Sequence, residues 1–178
     1  MNPYYSHQKY LTEELSKLDY TNPALVLEFG TGDGSASILQ SFALKYPNLR
    51  IESYEDNFNW MQNTYIKYSA DNYHFHHVDS WDSFFEREVF NEVYDLVFVD
   101  SSPWESRIKA IDAVKNRTKV FMIHDYNYYN RGVMEDLYCV TEGSFFYDRY
   151  GKDFILQCKI DCPDYLEYPG TLIMKKRL

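Results

Sequence analysis

The chain has 178 residues, of which 18 are Lys or Arg and 27 are Asp or Glu, so its formal net charge is −9. An acidic chain is poorly suited to holding a nucleic-acid backbone, and no run of 18 apolar residues is available to cross a membrane. The first residues carry no secretory signal pattern, and the three cysteines fit neither a full disulfide set nor paired CxxC metal spacing. We therefore expect a cytoplasmic protein with no nucleic-acid and no membrane partner.

The length is typical of one domain with a substantial core. We expect residues 1–178 to form a single domain, in which an N-terminal helix lies within residues 1–20 and an α/β core occupies 21–178. The helix is predicted over residues 5–19, because Leu11, Leu15 and Leu18 recur at helical spacing. A helix in this place either covers a ligand site or serves packing alone.

A short apolar run at residues 25–27 then leads into a glycine-rich motif. The run predicts a buried strand, and a helix is predicted over 35–46. The residues between them read Glu28-Phe29-Gly30-Thr31-Gly32-Asp33-Gly34. Three glycines in five residues permit a tight turn and a close approach of backbone to a ligand. A strand, a glycine turn and a helix in this order are typical of a nucleotide or nucleoside site, in which the N–H groups at the start of the helix face the ligand. A dinucleotide fingerprint would need glycine at position 35, where the chain has Ser35, so a nicotinamide cofactor is disfavoured.

The second predicted strand, residues 49–54, ends at the acid pair Glu55 and Asp56. Glu55 follows Gly34 by about 20 residues. This is the separation at which an α/β nucleotide-binding fold places a carboxylate on the ribose hydroxyls. A carboxylate suits a diol because it accepts hydrogen bonds from both hydroxyls at once. Asp56 takes this role if the strand ends one residue later, and a surface acid in a turn is the other interpretation.

The third predicted strand, residues 73–78, is followed by Asp79 and Ser80. Asp79 is a candidate for the adenine amino group, and Ser80 either binds beside it or caps the helix predicted over 81–90. Trp60, in the preceding helix, either packs on adenine or belongs to the core. Histidines on both faces of a strand are not an obvious chelate, and we expect no metal at His74, His76 and His77.

Two further apolar runs, at 93–100 and 118–123, are typical of strands that are covered on both faces of a parallel sheet. They deliver Asp100 and the pair His124-Asp125 to the same edge as the glycines. Beyond them we predict a helix over 131–140 and two late strands, 154–160 and 171–175, joined by a turn region that begins at Cys162.

These elements predict an α/β, Rossmann-like, doubly wound and mostly parallel seven-stranded sheet with an antiparallel last strand. Ligands of such sheets bind outside the carboxyl ends of the strands. A single acid at a strand end means little, because Asp commonly begins a turn. Here acids stand at five predicted strand ends in register with the glycine loop: Glu28, Glu55, Asp79, Asp100 and Asp125.

The glycine motif resembles motif I of the class I S-adenosylmethionine (SAM) methyltransferases. The blocks 94–100, 107–111 and 120–125 are similar to those of small-molecule and sugar O-methyltransferases, including the glucuronoxylan type, although Ser101 stands where that family has glycine. The resemblance implies SAM as cofactor and a small-molecule acceptor. It implies that Glu28 steadies the loop, that Gly30, Gly32 and Gly34 line the methionine part, that Glu55 holds the ribose and that Asp79 meets the adenine. The predicted cofactor site also includes Thr31, Asp56, Ser80 and Asp100. The resemblance also implies that Asp100, His124 and Asp125 face the methyl acceptor.

The predicted reaction is methyl transfer to a small-molecule or sugar hydroxyl. The sulfonium methyl is already activated, so the protein mainly places the nucleophile in line with it. His124, whose ordinary pKa is near neutrality, removes the hydroxyl proton, oriented by Asp125 or Asp100; in the other interpretation His124 only orients or caps. Alternatively, Asp100 and Asp125 bind a divalent cation such as Mg²⁺, which lowers the pKa of the acceptor. Arg107 either grips an acidic substrate or is solvated helix surface.

Two other functions remain open at this stage. The chain fits a SAM-binding or regulatory protein without catalysis. Residues 101–104 also resemble the tetrad of nucleic-acid amino methyltransferases, with one proline missing. The sequence makes no prediction about the oligomeric state.

Overall fold

The computed structural model describes residues 6–126, 142, 144–159 and 170–177, which include one seven-stranded sheet. The strands are β1 (Ala24–Phe29), β2 (Leu49–Glu55), β3 (Tyr73–His77), β4 (Tyr94–Val99), β5 (Thr118–His124), β6 (Phe154–Lys159) and β7 (Thr171–Lys176). Their spatial order is β3-β2-β1-β4-β5-β7-β6. The first five pair in parallel, and β7 is antiparallel to both β5 and β6. The predicted sheet, with its antiparallel last strand, is confirmed.

Helices cover both faces of this sheet. They are α1 (Gln8–Leu15), α2 (Asp33–Lys45), α3 (Phe58–Tyr68), α4 (Trp81–Arg87), α5 (Trp104–Val114) and α6 (Phe145–Tyr150). Along β1, Leu25 and Leu27 pack into a core with α4, α5 and α6, whereas Val26 packs into a second core with α1 and α2. The alternation follows from the pleat, which sends successive side chains to opposite faces. Because both faces are covered, the six residues of β1 are all buried, as a continuous apolar run requires.

The boundaries of three helices differ from the predictions. The first helix, predicted over 5–19, is the shorter α1, because beyond Leu15 the chain tightens: the N–H groups of Lys17 and Leu18 donate to carbonyls three residues back. Helix α2 begins two residues earlier than predicted, with Gly32 in extended conformation as its N-cap. Helix α4 ends at Arg87 rather than at residue 90, since Glu88 leaves the helical region with ψ 137°.

Some predictions fall outside the described residues: the helix over 131–140, the turn region from Cys162, and residue 160, predicted as the last residue of a late strand. Within the described ranges, no helix combines the length and apolar character needed to cross a membrane.

Candidate functional site

A cavity of about 1090 Å³ opens at the carboxyl ends of β1, β2, β4 and β5. Its volume is at the upper end of the range for ligand sites, roughly 300–1,000 Å³, so it has room for a nucleoside cofactor and a second small molecule. The strand order reverses between β1 and β4, the place where open α/β sheets bind ligands. Nine of the predicted site residues line it: Gly30, Thr31, Gly32, Gly34, Glu55, Asp56, Asp100, His124 and Asp125.

The glycine loop lines the half of this cavity where the sequence predicts the cofactor, hereafter the cofactor half. Gly30 has φ +86°, a conformation that side chains rarely adopt, and a Cβ there would lie 2.5 Å from the backbone N of Ser101. Glycine is therefore required for β1 and the segment after β4 to come together at the switch point. Beyond Gly32, the first turn of α2 lines the cavity. The backbone N–H groups of a first helical turn have no partner within the helix, so they are available to donate to a polar ligand.

Glu55 lies at the end of β2, where the ribose carboxylate was predicted. Its Oε2 accepts from the N–H of Thr31 at 3.0 Å, and its Oε1 accepts from the N–H of Asn57 at 2.9 Å. Burial, with Asp56 beside it, raises the pKa of Glu55 to about 7. Each carboxylate oxygen has a second lone pair, so Glu55 supports the loop and still has acceptor capacity toward the cavity.

Trp60 joins α3 to the glycine loop. Its indole N–H donates to the carbonyl of Thr31 at 2.5 Å, and its ring stands 3.7 Å from where a Cβ on Gly32 would be. Both Trp60 and Phe58 line the cavity and are 51% exposed, so the interpretation of Trp60 as core is wrong. An exposed aromatic surface beside a backbone cradle suits the face of a nucleobase.

Glu28 does not line the cavity but lies beneath the loop, fully buried. Its Oε2 accepts from the hydroxyls of Ser53 and Tyr73. Burial raises the pKa of Glu28 to about 7, although hydroxyls around it, including that of Ser35, act in the opposite direction. Glu28 is thus placed to support the loop from below.

Asp79 and Ser80, predicted at the adenine, lie outside the residues that line this cavity. The Ser80 hydroxyl caps α4 by accepting from the N–H of Ser83, which confirms the capping interpretation. Asp79 borders a separate depression together with Arg87. The end of β3 does reach the cavity, because His77 lines it. Asp79 lies two residues farther along the chain, beyond the buried Val78 and just before α4 begins.

The other half of the cavity, where the sequence predicts the methyl acceptor and hereafter the acceptor half, centres on His124, which is 3% exposed. Its Nδ1 lies 3.1 Å from Asp100 Oδ1, and its Nε2 lies 3.1 Å from Ser6 Oγ and 3.2 Å from Asp125 Oδ1. Burial lowers the pKa of His124, but the carboxylates of Asp100 and Asp125 outweigh it, so the pKa is raised overall. Asp125 itself has φ +52°, a conformation that Asp enters more readily than most residues and that is frequent at functional sites.

Arg107 holds this cluster from within the protein. Its Nε donates to the carbonyl of Ser101 at 2.8 Å, its Nη1 donates to the carbonyl of His124, and its Nη2 lies 3.1 Å from Asp100 Oδ1 and 3.8 Å from Asp125 Oδ2. Arg107 is 7% exposed, so the interpretation as solvated surface is wrong. Because its guanidinium supplies positive charge to both carboxylates, it competes with the Mg²⁺ predicted there.

His7, at the start of α1, is the residue of this site that the sequence did not reveal. It lines the cavity, is 2% exposed, and its ring centroid lies 4.4 Å from that of His124. Burial, followed by the nearness of His124, lowers the pKa of His7 to about 3. Next to it, the side-chain amide of Gln8 donates to the carbonyl of Gly34 at 2.9 Å, so the start of α1 spans both halves of the cavity. The interpretation of this helix as a cover over the site agrees with these contacts.

The histidines of β3 are engaged separately. His76 Nε2 lies 2.6 Å from Glu52, and His77 Nε2 lies 3.2 Å from the carbonyl of Asp56. Across the described part of the chain, the one grouping of His, Cys, Asp and Glu side chains with metal-ligand spacing is His7, Asp100 and His124.

No protein-family model matches the chain, and a search of curated proteins gave no match. Among solved structures it is similar to an rRNA methylase from Streptococcus thermophilus, with 13% identity, a TM-score of 0.62 and coverage of 100% of this chain and 98% of that one. Human methyltransferase-like protein 13 in complex with SAH is 18% identical, with a TM-score of 0.61 and coverage of 97% and 82%. Precorrin-6y C5,15-methyltransferase from Geobacter metallireducens is 18% identical, with a TM-score of 0.60 and coverage of 96% and 88%. The chain therefore has the Rossmann-like fold of class I SAM-dependent methyltransferases.

Proposed function

We propose that this protein is a SAM-dependent methyltransferase that transfers the methyl group to a hydroxyl of a small molecule. The observation that carries the proposal is a single cavity in which the glycine loop and Glu55 face the buried His124 and the partly buried Asp100. The fold shared with methyltransferases of different acceptors supports the reaction class, and the choice of acceptor rests on the cluster.

The cofactor half fits SAM by the chemistry of its donors. The N–H groups at the start of α2 and the backbone around Gly30 hold a polar amino-acid tail, and Glu55 accepts from the ribose diol. Trp60 offers an aromatic face, and among the described residues that line the cavity there is no Lys or Arg to grip a diphosphate. When bound, SAM supplies a methyl group already activated as a sulfonium.

The acceptor half supplies the proton chemistry. A hydroxyl attacks the methyl group only as its proton leaves, and His124 is the group in this half that is placed to take that proton. Asp100 at Nδ1 fixes the imidazole, while Arg107 holds the His124 carbonyl and Asp100 together. A buried, prearranged cluster of this kind orients the reacting oxygen and excludes water.

Titration calorimetry with SAM, SAH and NAD tests the cofactor. We expect SAM and SAH to bind and NAD not to bind, and we expect Glu55→Gln to weaken SAH binding by about tenfold, the loss of one charge-assisted hydrogen bond of roughly 1.4 kcal/mol. Glu52→Gln, on the same strand but paired with His76, is the matched control and keeps the affinity. Binding of NAD without SAH would overturn the proposal.

Isotope-labelled SAM with a panel of alcohols, phenols and sugars tests the transfer. His124→Gln is expected to lose the transfer while keeping SAH affinity within about threefold, a difference below 0.7 kcal/mol. A purely SAM-binding protein gives no product from any acceptor, although it binds SAH.

An RNA acceptor is the second candidate, because one similar structure is an rRNA methylase. The net charge of −9 disfavours an RNA acceptor. Adding rRNA to the same assay with labelled SAM decides between the two acceptors.

A further inference from the structure

His7 is a buried histidine whose ring nitrogens, Nδ1 and Nε2, have no hydrogen-bond partner among the described residues. Buried polar side chains are nearly always partnered, so an exception calls for an explanation such as a bound ion. Aromatic rings enclose the imidazole of His7 on two sides. The ring of His7 meets that of His124 at 68°, and Phe98 closes another side with ring centroids 5.0 Å apart.

The open nitrogens of His7 belong to a three-residue cluster. One ligand atom each from His7, Asp100 and His124 lies within 4.8 Å of the others. Tetrahedral ligands at about 2.1 Å from a cation are about 3.4 Å apart, so the side chains need to close by little more than an ångström. The hydrogen bonds of Asp100 use Oδ1, which leaves Oδ2 as the ligand oxygen.

We propose that His7, Asp100 and His124 bind a late first-row transition cation such as Zn²⁺. Two imidazoles and one carboxylate suit Zn²⁺, Fe²⁺ and Co²⁺, whereas Mg²⁺ prefers oxygen ligands alone. The site differs in its ligands and in its metal from the cation predicted between Asp100 and Asp125. Coordination replaces one of the hydrogen bonds of His124 and gives His7 the partner that it lacks.

This site deepens the proposed function. Three protein ligands leave a coordination position open, as in catalytic rather than structural zinc sites. With the cation bound, His124 would act as a ligand rather than as the general base, and the cation would take over the activation by lowering the pKa of an acceptor hydroxyl at the open position. The cation's role in methyl transfer rests on the proposed function, but its binding does not. The site also ties the start of α1 to the ends of β4 and β5.

Cation binding is tested on the purified full chain after chelator treatment, without SAM. We expect one equivalent of Zn²⁺ by calorimetry and a visible Co²⁺ spectrum of low coordination number. His7→Ala is expected to weaken binding by at least about tenfold, since even indirect ligand partners cost 10–100-fold. His74→Ala is the matched control, because His74 is exposed on β3 and outside the cluster.

A second measurement follows cation binding on the wild-type chain and uses variants only to assign the resonances. In ¹⁵N-histidine NMR, Zn²⁺ is expected to shift two of the five imidazoles, those lost from the spectra in His7→Ala and His124→Gln. Shifts at His74, His76 or His77 instead, equal affinity of His7→Ala and wild type, or no bound cation would overturn the site. SAH affinity of the metal-free chain is measured in parallel, so failure of the cation site and failure of the methyltransferase proposal give different results.

Discussion

Replacing Glu28 by Gln tests whether the glycine loop rests on a carboxyl group that is uncharged at low pH. In the folded chain the pKa of Glu28 is raised by burial to about 7, against an ordinary value of 4.5. At pH values between 4.5 and 7, Glu28 of the folded chain holds a proton that the unfolded chain has released. The stability that this proton contributes is therefore complete below the ordinary value and is lost as pH rises toward 7. Glutamine has nearly the same shape and does not titrate.

The magnitude follows from the two pKa values. From pH 5 to pH 8 the linkage relation gives a loss of about 2.5 kcal/mol for the wild type that Glu28→Gln does not share. For a chain of this length that corresponds to about 5–10 °C in Tm. Glu55 contributes a similar slope to both proteins, so it cancels in the difference.

The assay is urea unfolding followed by circular dichroism at several pH values between 5 and 8. The quantity of interest is the stability of the wild type minus that of Glu28→Gln at each pH. Glu86→Gln, an exposed acid on α4, serves as the control with a flat difference. A change of less than about 0.5 kcal/mol for Glu28 across this range, the size of an ordinary surface substitution, would refute the reasoning.

Two further predictions concern the backbone cradle and the buried arginine. Gly30→Ala is expected to destabilise the fold by about 3 kcal/mol, because the added Cβ meets the segment after β4 at a positive φ; Gly32→Ala, in extended backbone with its Cβ 3.7 Å from Trp60, is the control, and equal losses of Tm would contradict the geometry. Arg107→Lys is expected to cost about 3 kcal/mol in urea unfolding, since one ammonium cannot replace contacts to two carbonyls and a carboxylate. Lys109→Ala, on the exposed side of the same helix, should change stability by less than about 0.5 kcal/mol, and a similar cost for both variants would count against the role of Arg107.

The sheet was predictable because its signals are local. Continuous apolar runs such as that of β4 mark strands covered on both faces, and the glycine motif marks the first turn. The site residues on β1, β2, β4 and β5 followed from one rule, that strand ends at a switch point face the ligand. Asp79 satisfies the same local pattern, but β3 ends at His77, and it is His77 that lines the cavity. The exact end of a strand is less readable from local pattern than the existence of the strand.

His7 could not be found from local pattern. The spacing of Leu11 and Leu15 predicts which face of α1 is buried, but it does not say where the residue before the helix lies. That depends on how α1 folds back over α2, and the contact with His124 joins residues more than a hundred positions apart. Arg107 was missed as a buried residue because two of its partners are backbone carbonyls, those of Ser101 and His124, which no side-chain spacing reveals.

The placement of the tryptophans gives the protein an intrinsic optical probe for each half of its cavity. Trp60 stands half-exposed over the glycine loop, and the indole N–H of Trp104 donates to the carbonyl of Asp125 at 3.2 Å. The third, Trp81, is 3% exposed in the core and reports on neither. Since indole emission responds to local polarity, chains that retain one tryptophan each would separate filling of the nucleoside side from filling of the acceptor side, with Trp81 as an internal reference.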